Sequence, residues 1–268
     1  MTLQQKKAAL FARIADLKSV LVAFSGGVDS TLLLKLCHDI LKDRVVAVTA
    51  TSALQPGGEN EAALQTARDL GVRHIQIQSK ILEKAVFLKN TDQRCYHCKH
   101  HLFEKLRGLA RDLNLEHVAH GANADDLSDY RPGFRAAEEH GVVAPLLEAG
   151  LGKDEIRQLS KELNLATWDK PAMACLATRI PYGTALTPER LDQVNAAEAV
   201  LTSQGFHSFR VRCHGPLARI EVPAQDIDRL LDTAMRQIVV DQLKAIGFKH
   251  VTLDLEGYVM GSMNRDLD

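Results

Sequence analysis

The 268-residue sequence has no apolar run near the roughly 20 residues that a membrane-spanning helix needs. Its first residues, Met1 to Lys18, mix Lys, Arg and Asp with a helical apolar stripe of Leu10, Phe11, Ile14 and Leu17. The unbroken apolar core of a signal peptide is therefore missing too, and the expectation is a cytoplasmic protein. An excess of either charge is also lacking, with 33 basic against 34 acidic residues. Proteins that grip nucleic acid usually carry surplus Lys and Arg, because neutralised phosphates supply most of the affinity. The balance argues against such a partner, although a local patch can hide within it. No internal repeat or low-complexity tract is present.

What remains is a globular composition, 46% hydrophobic and 25% charged, in a chain long enough for two ordinary domains. Five cysteines, an odd number in a chain read as cytosolic, favour metal binding or catalysis over a disulfide framework. Apolar strands alternate with amphipathic helices through the first two thirds. Strands are expected at Ser19–Phe24, Arg44–Thr51, Arg73–Gln78 and Glu116–His120. Helices are expected from Asp29 and Ser30, at Glu59–Leu70, at Lys99–Leu113 and at Lys153–Leu163. That pattern predicts an α/β domain over residues 1–184, a parallel sheet with helices on both faces. Its ligand crevice would lie beyond the carboxyl ends of the strands. After an irregular stretch from Ala166 to Gly183, a helix (Thr187–Gln204), two strands (Phe209–Cys213, Leu217–Val222), a helical region in one or two pieces (Ala224–Ile246) and a strand (His250–Tyr258) predict a smaller α+β domain over 185–268.

The first strand runs into Ser25-Gly26-Gly27-Val28-Asp29-Ser30. Consecutive glycines between strand and helix let backbone N–H groups converge on a phosphate, and the helix N-terminus adds partial positive charge. There is no Gly-Lys-Ser/Thr, which excludes the kinase-type loop, and no G-x-G-x-x-G, which disfavours a dinucleotide fold. Asp29 suits a magnesium ion held against the phosphates. After the fourth strand, Gly121-Ala122-Asn123-Ala124-Asp125-Asp126 reads either as ligand contact through Gly121 and Asp126 or as a helix-capping turn.

Cys37 lies on an otherwise apolar helix, and Cys213 shares strand parity with Phe209 and Val211, so both read as core residues. The same parity puts Arg210 and Arg212 together on the opposite face, as either a solvated face or a site for an anion. Cys95 and Cys98 form a C-x-x-C at an expected loop-to-helix junction, and Cys175 sits in the irregular stretch. A redox pair would leave Cys175 without a role. Zinc would need His97, His100 or His101 as a further ligand, whereas an iron–sulfur cluster on three thiolates leaves one iron open.

Ser25 to Ser30 resembles the signature of the PP-loop ATP pyrophosphatases, which adenylate an oxygen and release pyrophosphate. Together with Asn90 to Lys99, Gly121 to Gly133, Lys153 to Arg157, Lys170 to Gly183 and Arg210 to Pro223, it resembles the LarE family of ATP-dependent sulfur transferases. The family's activity is to turn a carboxylate of a pyridinium-3,5-biscarboxylic acid mononucleotide into a thiocarboxylate for a nickel-pincer cofactor. The resemblance implies ATP and Mg2+ at Ser25, Gly26, Gly27, Asp29 and Ser30. It implies a 4Fe–4S cluster on Cys95, Cys98 and Cys175, fed by a sulfide source, with Cys175 the catalytic thiol. It also implies a nucleotide-like substrate facing Arg179, Glu198, Arg210 and Arg212 in a homo-oligomer. Members with the single cysteine sacrifice its sulfur instead. The rivals are another PP-loop reaction (tRNA thiolation, or amide formation in the manner of NAD synthetase) and a non-catalytic nucleotide- or metal-binding protein.

Overall fold

A computed structural model describes residues 1–128, 132–171, 174–259 and 262. Asp129, Tyr130 and Arg131, and Ala172 and Met173, which belong to two of the motif segments, lie outside the described residues. In chain order the first elements are α1 (Leu3–Asp16), β1 (Val20–Ala23), α2 (Val28–Leu41), β2 (Val45–Thr51), α3 (Glu59–Asp69) and β3 (Arg73–Gln78). Then come α4 (Ala85–Leu88), α5 (Arg94–Asp112), β4 (His117–His120), α6 (Gly133–Glu139), α7 (Pro145–Glu148) and α8 (Lys153–Glu162). The last are α9 (Pro188–Ser203), β5 (Arg210–His214), β6 (Leu217–Glu221), α10 (Ala224–Leu231), α11 (Thr233–Ala245) and β7 (His250–Leu253). Among the described residues no helix is long and apolar enough to cross a membrane.

Two compact units emerge. The first comprises residues 1–52, 58–83 and 93–173; the second comprises 53–57, 84–92 and 174–268. The first holds a parallel sheet in the order β3-β2-β1-β4. Its two inner strands, β1 and β2, read as near-continuous apolar runs because both faces are covered. Val20 and Val22 of β1 point into a core shared with Leu10 and Ile14 of α1, Leu32 and Leu33 of α2 and Ile156 of α8. Leu21, one residue out of phase, points into the opposite core with Phe103 and Leu106 of α5. The second unit carries a three-stranded sheet, β5-β6-β7, antiparallel then parallel, with α9, α10 and α11. The α/β class with a smaller α+β region is thus as expected.

Two local expectations need correction. The helix expected from Lys99 begins earlier: α5 starts at Arg94, so Cys95 and Cys98 occupy its opening turns just past the loop. The apolar stripe that marks this helix starts only at Phe103, and its first turns are held by Tyr96, which packs against the Phe103 core. The helical region over 224–246 takes the two-piece form: it breaks at Asp232, whose carboxylate accepts from the N–H groups of Ala234 and Met235 and starts α11 afresh. The last strand stops at Leu253, because the chain turns where Asp254 accepts from the Glu256 N–H and Gly257 adopts φ +73°.

His120, at the end of β4, lies against the rings of Phe103 and Phe134. Burial, with the Lys99 ammonium nearby, pushes its pKa from 6.5 down to about 3. The imidazole is neutral in the fold and gains a proton on unfolding between those two values. Its contribution to stability is complete above pH 6.5 and is lost as pH falls toward 3, by about 1.4 kcal/mol per pH unit. We expect His120→Phe to reduce the slope of unfolding free energy against pH by about one proton between pH 6 and 4. Urea titrations across that window measure it, and an unchanged slope would contradict the assignment.

Candidate active site

In the first unit, β1 pairs with β4 on one side and β2 on the other, placing Ala23 level with His120 and Val48. The segments leaving β1 and β4 therefore emerge side by side at the carboxyl end of the sheet, where the strand order reverses. The Phe24 N–H still bonds the Val48 carbonyl at 2.9 Å, and beyond it the chain turns. The Ser25 N–H donates to Ser30 Oγ (3.3 Å), the Gly27 N–H to Ser25 Oγ (3.4 Å) and Ser30 Oγ to the Gly27 carbonyl (3.2 Å). The two hydroxyls lie 3.1 Å apart. The turn is thus held in shape by its own serines before any ligand arrives. Two glycines are required by space. Gly26 has φ +72°, and a Cβ there would lie 2.9 Å from Ala63 Cβ. A Cβ at Gly121 would lie 2.9 Å from the Ser30 backbone nitrogen.

Asp29 sits in the first turn of α2, one carboxylate oxygen 2.6 Å from Lys153 Nζ on α8. Its other oxygen, Oδ1, is buried without a hydrogen-bond partner among the described residues. Such an atom is costly to leave unpaired and fits a cation or a donor brought by a ligand. Lys170 Nζ reaches the Gly26 carbonyl (3.2 Å) and Glu59 Oε2 (2.9 Å), while Arg157 grips the carbonyls of Trp168 and Lys170 at 2.8 Å each. Two ammonium groups therefore flank the glycine turn. Sequence reading assigned no role to Lys153, Lys170 or Glu59. The two lysines head motif segments, yet their partners are more than a hundred residues away. Asp126 Oδ2 accepts from the Asn123 N–H at 3.0 Å, the capping geometry weighed above, and Asp125 Oδ2 accepts from the Lys153 N–H at 2.7 Å.

The five thiols fall into two groups. Cys37 is fully buried and pushed up to about 12 by desolvation, and Cys213 is buried and raised for the same reason. Cys95 is exposed, and Cys98 and Cys175 are half-buried. On α5 the spacing of Cys95 and Cys98 puts both on one side of the helix. Of the three candidate histidines on α5, His101 is hydrogen-bonded through Nε2 to the Ser79 carbonyl, while His97 and His100 lie against the Tyr96 ring. Among the described residues no three His, Cys, Asp or Glu side chains gather as a metal site.

In the second unit, Cys175 precedes a short 3-10 turn, Leu176–Arg179. Strand parity puts Arg210 and Arg212 on one face as expected, but the face is buried, with 7% and 4% exposure, and the solvated reading is wrong. Arg212 forks onto Glu221 (2.9 and 2.7 Å) and donates to the Thr178 carbonyl (2.8 Å). Arg210 donates to the Tyr258 hydroxyl (3.1 Å) and stacks on its ring; desolvation lowers its pKa, aided by the neighbouring Arg179. Arg179 is fully buried and forks onto Glu198. With Arg219 on Glu221 and Asp254, the guanidinium groups of Arg179, Arg212 and Arg219 pair with three carboxylates. A guanidinium fork suits a carboxylate or phosphate.

Burial sets the order of thiol reactivity. Brief iodoacetamide treatment of the reduced, metal-free protein at pH 8 should label Cys95, Cys98 and Cys175 before Cys37 and Cys213. Peptide mass spectrometry reads this, and early labelling of Cys37 would overturn the burial assignment.

Comparison with known proteins agrees with this geometry. A family model for NAD synthase matches residues 9–111, the segment containing the glycine turn. An uncharacterised protein of Synechocystis sp. is 41% identical over 265 residues, covering 99% of both chains. The pyridinium-3,5-bisthiocarboxylic acid mononucleotide synthase of Lactiplantibacillus plantarum is 40% identical over 267 residues, 99% of this chain and 96% of that one. One component of the glutamine-hydrolysing GMP synthase of Pyrococcus furiosus is 25% identical over 75% of this chain and 68% of its own. The full-length match, on top of a PP-loop built at a parallel-sheet switch point, places this chain in the LarE family of ATP-dependent sulfur transferases.

Proposed function

We propose that this enzyme adenylates a carboxylate of pyridinium-3,5-biscarboxylic acid mononucleotide and replaces the AMP with sulfur, giving the thiocarboxylate used for a nickel-pincer cofactor. The observation that carries the ATP half is the buried Asp29 Oδ1, without a hydrogen-bond partner among the described residues, beside a preformed glycine turn. Asp29 would hold Mg2+, which supplies charge neutralisation for the pyrophosphate leaving group. The backbone N–H groups at the start of α2 would receive the phosphate, with Ser25 and Ser30 shaping the turn. Lys153, now paired with Asp29, and Lys170 are the cations available to phosphate oxygens.

The carboxylate oxygen attacks the α-phosphorus, pyrophosphate leaves, and an acyl adenylate results. A sulfur nucleophile then bonds to the acyl carbon and AMP leaves with the electron pair of the broken C–O bond. The substrate's negative groups suit the buried guanidinium groups of Arg210 and Arg212, which share one face of β5. For the sulfur source we propose Cys95, Cys98 and Cys175 as ligands of a 4Fe–4S cluster. The support is that these three thiols are accessible while Cys37 and Cys213 are buried. When bound, such a cluster would offer one iron without a protein ligand for exchangeable sulfide.

Asp29→Ala should reduce substrate-dependent pyrophosphate release at least a hundredfold while leaving the circular dichroism spectrum unchanged. Near-normal release would remove the phosphate-site assignment. Arg210→Gln should raise the substrate KM about tenfold and leave the ATP KM within twofold, since a lost charged hydrogen bond costs about 1.5 kcal/mol or more. An effect confined to ATP would refute that role. Anaerobically purified protein should be brown, with iron and acid-labile sulfide, and should transfer several sulfurs per chain when fed sulfide. Colourless protein holding stoichiometric zinc, or one turnover that leaves dehydroalanine at position 175, would rule the cluster out.

A further inference from the structure

We infer that Arg179 is a positioning residue that fixes the backbone carrying Cys175, and that Glu198 serves to hold Arg179; this rests on the reading above that Cys175 takes part in sulfur delivery. Arg179 has 0% exposure, so it meets no solvent, and every nitrogen of its guanidinium is engaged. Nε and Nη2 fork onto the two oxygens of Glu198 at 2.7 and 2.9 Å. Nη1 turns the other way, to Thr178 Oγ1 (2.8 Å), the Ala174 carbonyl (3.0 Å) and the Cys175 carbonyl (3.3 Å). The Cys175 carbonyl also accepts from the Thr178 N–H (3.0 Å) and Thr178 Oγ1 (2.8 Å). The next amide, Leu176 N–H, bonds the Leu54 carbonyl at 2.8 Å.

Glu198 is itself anchored: its Oε1 accepts from the Val211 N–H of β5 at 3.2 Å. One residue further along β5, Arg212 donates to the Thr178 carbonyl while forked onto Glu221. The turn bearing the thiol is thus tied to the sheet by two buried Arg–Glu forks. Downstream, Asn90 has 0% exposure, and its Nδ2 donates to the carbonyls of Ile180 (3.3 Å), Pro181 (2.8 Å) and Thr184 (2.9 Å).

A buried ion pair gains little net stability over well-packed apolar side chains, because both ions lose their hydration. Stability alone therefore gives no reason for a fully buried arginine here. Its planar fork does supply something an aliphatic pair does not: fixed donors aimed at the carbonyls of residues 174 and 175. A sulfur that must meet an acyl carbon at about 3–3.5 Å is sensitive to displacement, and about 1 Å of misplacement can cost a hundredfold in rate. With its donors spent inside the protein, Arg179 acts on Cys175 and not on the substrate.

The test uses Arg179→Met/Glu198→Met, which removes the pair together so that no unpaired charge is buried, and Arg179→Lys, which keeps the charge but loses the fork. In full-length anaerobic enzyme, four quantities are compared with wild type: thermal midpoint, substrate-dependent pyrophosphate release, sulfur transfer to the carboxylated substrate, and amide exchange of the 174–180 peptide. We expect a cooperative melt, ATP and substrate KM within threefold, sulfur-transfer kcat down about a hundredfold, and exchange of the peptide at least ten times faster. If the double variant does not fold, Arg179→Lys provides the same readouts. Unchanged peptide exchange, or normal transfer in either folded variant, would overturn the proposal. A rise confined to substrate KM would make Arg179 a substrate ligand and also overturn it. If wild-type enzyme neither releases pyrophosphate nor transfers sulfur with this substrate, the functional reading fails instead, and the exchange measurement still decides whether Arg179 holds the turn.

Discussion

The first unit depends on how closely the segment leaving β4 approaches the start of α2. Parallel pairing sets Ala23 and His120 level, so the two segments leave the sheet beside each other, and Gly121 comes to rest against the backbone of Ser30. With any side chain at position 121 they would be forced apart, and the glycine turn would lose the wall that shapes it. The serine hydroxyls, the N–H groups that open α2 and the Asp29 carboxylate all take their positions from this contact. Gly26, pressed against Ala63, holds the other side. A phosphate site of this type is built from backbone, and backbone can converge only where side chains are absent.

Charge is handled differently in the two units. Around the glycine turn the pairs Lys153–Asp29 and Lys170–Glu59 are partly exposed, and each lysine has a flexible stem. Such pairs are worth about a kcal/mol or less, so a ligand with phosphate oxygens and a metal ion can replace them at small cost. Beside Cys175 the Arg179–Glu198 pair is a fork closed to solvent. Exchanging it for a ligand would strand a buried carboxylate, at several kcal/mol. The first arrangement suits binding and release, and the second suits holding a backbone still.

The cysteines follow the same logic of burial. Cys37 sits in the core between α2 and the sheet, where ionisation is opposed by desolvation, and Cys213 is screened in the same way on β5. Only thiols with a path to solvent can exchange sulfur or bind metal, and those are Cys95, Cys98 and Cys175.

The glycine turn, the order of the motifs along the chain and the sorting of the thiols were legible in the sequence, because each depends on spacing within a few residues. Alternation correctly placed Cys213 inward, and consecutive apolar residues marked β1 and β2 as strands covered on both faces. Alternation also paired Arg210 with Arg212, but not whether water or protein lies over them, since period two reports a face and not what covers it. The start of α5 was missed because its opening turns are polar and are held by Tyr96 packing against the core. Lys170 on Gly26, Lys153 on Asp29 and Arg179 on Glu198 join residues 144, 124 and 19 positions apart. Local sequence determines helix, strand and turn through sterics and periodicity, whereas such pairings exist only after the chain closes, because loop closure and packing select the partner and no nearby residue encodes it.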